Sequence, residues 1–171
     1  FKYRFFGRTS LYLLIFSLII VPDLVLAIAL LLLFHEAHLS LGFTSLLLAH
    51  ITFCVPFVFV TIYSRLSTLN RNLFEAAKDL GARDFIIATK IMLPLLLPAL
   101  IAGWLLSFTL SLDDVMISFF VSGPSYQILP LYIFSHVRVG VTPELNALCS
   151  LILIATVIFA IIAQGCLRKK T

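Results

Sequence analysis

The chain has 171 residues, of which 61% are hydrophobic and only 12% charged, whereas about a quarter of the residues of a soluble domain carry charge. That balance excludes a soluble globular fold and marks an integral membrane protein. The net charge of +4 would suit a nucleic-acid partner in a soluble chain, but here its position relative to the apolar runs decides its meaning.

The chain opens on Phe1 and its first methionine is Met92, so we expect a segment of a longer protein. "FKYRFFGR" reads as a loop entering a span rather than a signal peptide. A bilayer core about 30 Å thick needs about 20 apolar helical residues, because only helices and closed barrels satisfy their own backbone in lipid. Four runs qualify, 10–34, 41–63, 94–112 and 145–166, and none alternates like a barrel strand. Pro22 and Pro56 are expected to kink their helices. Between the first two runs, "HEAH" (His35, Glu36, His38) lacks the spacing of a zinc-protease motif and predicts no metal site. Cys54, Cys149 and Cys166 lie far apart in or beside apolar runs and fit neither a disulfide framework nor a short-spaced metal site.

Basic residues fix the expected sidedness. Three precede the first run, five fall between the second and third (Arg65, Arg71, Lys78, Arg83, Lys90), three follow the last, and Arg138 stands alone in the loop 113–144. The positive-inside rule makes the side of the first eleven cytoplasmic, with both ends of the segment there. No repeat or linker interrupts the pattern, which predicts one transmembrane domain over 1–171 with a cytoplasmic loop at about 64–93.

Within that loop, Asn72 is the expected N-cap of a short helix, with Glu75 three residues on. Leu73, Ala76, Ala77 and Leu80 form a narrow apolar stripe and Gly81 ends the helix in the left-handed conformation. Asp84 is expected to cap a second helix that stops or kinks at Pro94. The alanine pair lets a groove of another protein close around the first helix, with Glu75, Lys78 and Asp79 paired at its rim; an amphipathic loop on the lipid surface is the other reading.

Acids inside spans point to a pathway or a partner, because charge in the bilayer is costly. Asp23 follows Pro22 near the middle of the first run, and Asp113 and Asp114 close the third. If that helix continues, Trp104, Ser107, Ser111, Asp114 and Ser118 share an arc of about 80°, while Asp113 points the other way. An indole, hydroxyls and a carboxylate suit a hydrated lane for a cation, to which Tyr126 is a further candidate. Asp114 is alternatively a helix cap, and Asp23 the partner of a neighbouring subunit. "SGPSY" reads as an external turn, and Thr142, Pro143 and Glu144 as the start of the last span.

Glu75-Ala76-Ala77, Gly81, Ile91, Leu93 and Pro94 match every fixed position of the pattern E-A-A-x3-G-x9-I-x-L-P, and by it the chain resembles the membrane subunits of bacterial ABC importers. Arg83 stands where many members of that wider family carry a small capping residue. "VPDLVLAIALLLLF", "HITFCVPFVFVTIYSRL" and "GWLLSFTLSLDDVMISFF" look like the C-type inner-membrane subunit of spermidine/putrescine importers. The resemblance implies an all-α polytopic helix bundle of the type I (MetI-like) permease class, with four of six spans here and two N-terminal spans missing. It further implies residence in the bacterial inner membrane, a second permease subunit of the B type, a cytoplasmic ATPase dimer and a substrate-binding protein received at the external loop. Glu75, Ala76, Ala77, Asp79 and Gly81 would face the ATPase, while Asp23, Trp104, Ser107, Ser111, Asp113, Asp114 and Tyr126 would line the path of a polyamine. The chain holds no G-x-x-x-x-G-K-[ST] loop, so ATP and magnesium are expected on the partner and no cofactor or enzyme activity on this chain. The alternatives are an importer of ferric ion, thiamine or amino acids, an intramembrane aspartyl protease, and an ion-coupled carrier.

Overall fold

A computed structural model describes residues 6–124, 126–140 and 142–168, with side chains described through Ile161. The chain falls into two compact units, Phe1–Tyr126 and Gln127–Thr171.

In the first unit, the expected span 10–34 is broken. Helix α1 (Arg8–Ile20) and helix α2 (Asp23–Glu36) meet at 115°, because Val21 (φ −66°, ψ 129°) and Pro22 (φ −59°, ψ 140°) are both extended. Proline bars its predecessor from the helical region and offers no N–H of its own, so two residues suffice to turn the chain. Helix α2 stops in "HEAH": His38 takes φ 53°, its N–H donates to the His35 carbonyl at 3.0 Å and the Leu39 N–H to that of Phe34 at 2.9 Å. That pair of bonds is a Schellman motif with histidine in the place glycine usually holds.

Helix α3 (Phe43–Ser67) is about 37 Å long and runs unbroken through buried Pro56. Helix α4 (Arg71–Asp79) follows, capped by Asn70, whose side chain accepts the Asn72 N–H at 3.0 Å. The cap thus lies two residues before the expected Asn72, and Glu75 sits beyond a capping-box position. At its end Gly81 (φ 82°) donates to the Lys78 carbonyl at 2.9 Å and Ala82 to that of Ala77 at 3.0 Å, a second Schellman motif. Helix α5 (Asp84–Ile86), a π-helical stretch Ile87–Met92 and helix α6 (Leu93–Asp113) then form one continuous rod. Arg83, not Asp84, is the N-cap, and Pro94 does not stop the helix. The wider turn lies just before Pro94, whose ring would crowd the carbonyl four residues earlier in a regular α turn.

The chain between 113 and 144 begins with packed core rather than an open loop. Helix α7 (Met116–Val121) has only six residues, too few to cross a bilayer, yet Ile117, Ser118 and Val121 are fully or almost fully shielded. It packs on α2 and α3, which themselves bury Ala27, Leu30 and Phe34, and Ser45 and Ala49, respectively. The Ser45 hydroxyl donates to the Val121 carbonyl at 2.7 Å.

In the second unit, helix α8 (Leu129–Val139) buries no residue and helix α9 (Pro143–Arg168) starts where Thr142 Oγ1 accepts the Leu145 N–H at 3.4 Å. Among the described residues three helices are long and apolar enough to cross a membrane, Phe43–Ser67, Asp84–Asp113 and Pro143–Ile161, and a fourth if the bent α1–α2 pair counts as one. The protein is a multi-pass membrane protein whose regular elements, among the described residues, are all helices.

Candidate functional site

The two rods α3 and α6 lie antiparallel and touch at matched positions one or two helical turns apart. Arg65 Nε donates to the Leu95 carbonyl at 3.4 Å, a Cβ on Gly103 would stand 3.2 Å from Val58 Cγ1, and Cys54 Sγ lies 3.7 Å from the Ser107 carbonyl. His50 Nδ1 meets Ser111 Oγ at 2.7 Å. Steps of seven or eight and then four residues on both helices keep one face of each in the seam, and Gly103 lets the backbones approach as small residues do between membrane helices.

Beyond Ser111 the seam ends in a polar knot. Asp114 is extended (φ −68°, ψ 120°) and ends α6, and its carboxylate accepts the N–H of Ile117 at 3.1 Å and of Ser118 at 2.8 Å. The acid therefore starts α7 by satisfying two of its first free N–H groups. Ser118 Oγ donates to Asp114 Oδ2 at 2.7 Å. With that proton committed, the His50 Nε2–H donates to Ser118 Oγ at 3.0 Å and lies 3.4 Å from Asp114 Oδ2. The side chains of His50 and Asp114 are only 13% and 5% exposed. Hydrogen bonds between membrane helices contribute only about 0.6 kcal/mol on average, so the knot matters more for where it holds the chain than for stability.

The expected stripe on the third span is thereby divided. Ser111 is turned to α3 and Ser107 is half-buried there, whereas Trp104 is 58% exposed and stacked on Phe108 with ring centroids 6.1 Å apart. Ser118 does not continue the stripe, because the helix ends at Asp113 and Ser118 belongs to α7. The carboxylate of Asp114 makes the hydrogen bonds of a helix cap. Asp113 and Asp23 are exposed, Asp23 as the first residue of α2, and exposed Tyr126 packs edge-on against Phe43 at 5.8 Å. His50 was not singled out from the sequence, although an ionisable side chain within an apolar run is a signal in its own right.

At the other end of the seam, α4 stands out from the bundle with no buried residue. Glu75, Ala76 and Asp79 are exposed and Ala77 half-buried, and Gly81 is exposed at the bend. Lys78 pairs with Asp84 across the bend at 2.6 Å, and both side chains stay exposed. Leu80 and Phe85, 89% and 77% exposed, leave apolar surface on either side of it.

Residues 1–170 match the family model described as binding-protein-dependent transport system inner membrane component. It is 53% identical over 171 residues to the spermidine/putrescine transport system permease protein PotC of Escherichia coli K12, covering 100% of this chain and 65% of that protein. The PotC of Haemophilus influenzae is 53% identical over 170 residues, 99% of this chain and 66% of its own length. The putrescine transport system permease protein PotI of Escherichia coli K12 is 46% identical over 166 residues, 94% of this chain and 59% of its own. The chain thus spans less than two thirds of the length of these relatives.

Proposed function

The chain belongs to the family of binding-protein-dependent transport system inner membrane components, and on that premise we propose that it is part of the permease of an ABC importer that carries polyamines into the cell. The observation that carries this reading is α4: an exposed short helix with the intact E-A-A-x3-G pattern, ended by Gly81 and placed between the two rods α3 and α6. A cytoplasmic ATPase dimer docks on Glu75, Ala76, Ala77, Asp79 and Gly81. ATP binding draws two such helices together and favours the outward-open state, since a ligand shifts a conformational equilibrium only by binding one state better. A second permease subunit completes the lane and a substrate-binding protein delivers the substrate from outside.

Both ends of the segment face the cytoplasm in this reading, as the distribution of Lys and Arg supports. The lane acids are Asp23 and Asp113, which remain exposed, with Trp104 and Tyr126 presenting ring faces to a multiply charged amine. Ser107, Ser111 and Asp114 shape its wall from behind. Names of relatives that include spermidine and putrescine support this substrate class over ferric ion, thiamine or amino acids. The experiment is uptake of labelled spermidine and putrescine by the full-length protein with its partner subunits in vesicles. ATP-dependent uptake that excess unlabelled polyamine suppresses and amino acids leave unchanged is expected; uptake of neither polyamine by an otherwise ATP-competent complex would refute the substrate.

A further inference from the structure

We propose that His50 is a positioning residue of the transport cycle, the pin through which movement of the α4 loop reaches α7. The inference rests on the reading that α4 takes up movement from an ATPase. His50 is the side chain of α3 that bonds at once to the last turn of α6, through Ser111, and to the first turn of α7, through Ser118. Around it, Asp114 holds the break between those helices by binding the N–H groups of Ile117 and Ser118. From Arg65–Leu95 beside the loop to His50–Ser111 the seam extends 15 residues along α3, about 22 Å, with contacts at Arg65, Val58, Cys54 and His50. Packed rods move as one body, and the knot decides whether α7 follows. Helix α7 in turn packs on α2, whose first residue is the exposed Asp23. Packing thus runs from the foot of the loop to α2, the helix that begins at a lane acid, and the break at Asp114 along that route is spanned by the His50 ring.

The test uses the full-length protein assembled with its second permease subunit, ATPase and binding protein in proteoliposomes, comparing wild type with His50→Leu and Ser111→Ala. Uptake is counted per assembled complex. His50→Leu is expected to raise amide exchange at Ile117 and Ser118 by about tenfold or more. It should lower maximal uptake by about tenfold with KM within about twofold, keep basal ATP hydrolysis, and lose the stimulation of hydrolysis by the loaded binding protein. Ser111→Ala, which removes only the Nδ1 contact, is expected to lose about threefold in maximal uptake. Wild-type turnover per complex in both variants would overturn the proposal and leave His50 a packing residue. A KM increase of about tenfold at unchanged maximal rate would also overturn it, because His50 would then touch substrate. Should His50→Leu fail to assemble, Ser111→Ala decides, and unchanged exchange and turnover there refute the pin. If the wild type takes up neither labelled polyamine, the substrate reading fails on its own, and amide exchange with binding-protein stimulation of hydrolysis still judges His50.

Discussion

His38 and Gly81 occupy the same place in two Schellman motifs, at φ 53° and 82°, and the difference in residue type has an energetic consequence. A side chain with a Cβ in the left-handed region pays about 1 kcal/mol or somewhat more, so His38→Gly should stabilise the folded protein by about 0.5–1 kcal/mol. A raised thermal midpoint in detergent is the expected reading. Gly123 has no such latitude: φ is 72°, and a Cβ there would stand 2.8 Å from the Leu41 carbonyl oxygen, which is backbone and cannot swing aside. Gly123→Ala should cost about 2–3 kcal/mol, seen as a lower midpoint and less folded protein in the membrane; wild-type behaviour would show that the 38–42 loop yields. Both positions lie in stretches that the sequence marked only as loop or turn. Backbone sign is invisible to hydropathy, and the sequence could equally not show that "HEAH" is a helix stop. It did expose the acids of the third span but not which would be consumed as a cap. That choice depends on His50 and Ser118, brought together by contacts between helices far apart in sequence.

Helix content was legible because lipid permits little else, and the apolar runs mark where α3, α6 and α9 lie. Breaks were less legible, because a hydropathy window averages over the two extended residues that turn α1 into α2. Pro22 and Pro56 show the limit of residue type as a signal. One ends a helix, whereas the other sits buried within α3, where neighbouring helices can compensate for its missing donor. The π-helical stretch before Pro94 was likewise unreadable, since periodicity there stays close to helical. The bend at Gly81 was readable, and its test separates conformation from contact. Nothing lies within 4 Å of a Cβ at Gly81, so substitution there acts through backbone preference. Asn tolerates the left-handed region and Val does not. ATP-driven uptake should therefore fall in the order wild type, Gly81→Asn, Gly81→Val, and equal loss in both variants would mean that α4 does not depend on this turn. The Lys78–Asp84 pair, exposed on both sides, contributes at most about 1 kcal/mol to holding the bend.

For the molecule entire, the membrane class and the family pattern were present in composition and in seven residues of one loop. The division into two packed units was not, because no composition shift accompanies it. The sidedness expected from the basic residues is open to direct measurement: in a cysteine-free full-length protein, Asp79→Cys should react with an impermeant maleimide only in inverted vesicles and Gln127→Cys only in intact spheroplasts. The reverse pattern would invert the topology and remove α4 from reach of a cytoplasmic ATPase. Everything in the proposed cycle depends on that contact. The most direct test is Glu75→Lys in the assembled transporter, following labelled polyamine uptake and ATPase retention together in vesicles. Uptake should fall to background, with the ATPase lost or its hydrolysis no longer stimulated by the loaded binding protein; wild-type uptake by this variant would contradict docking of the motor on α4.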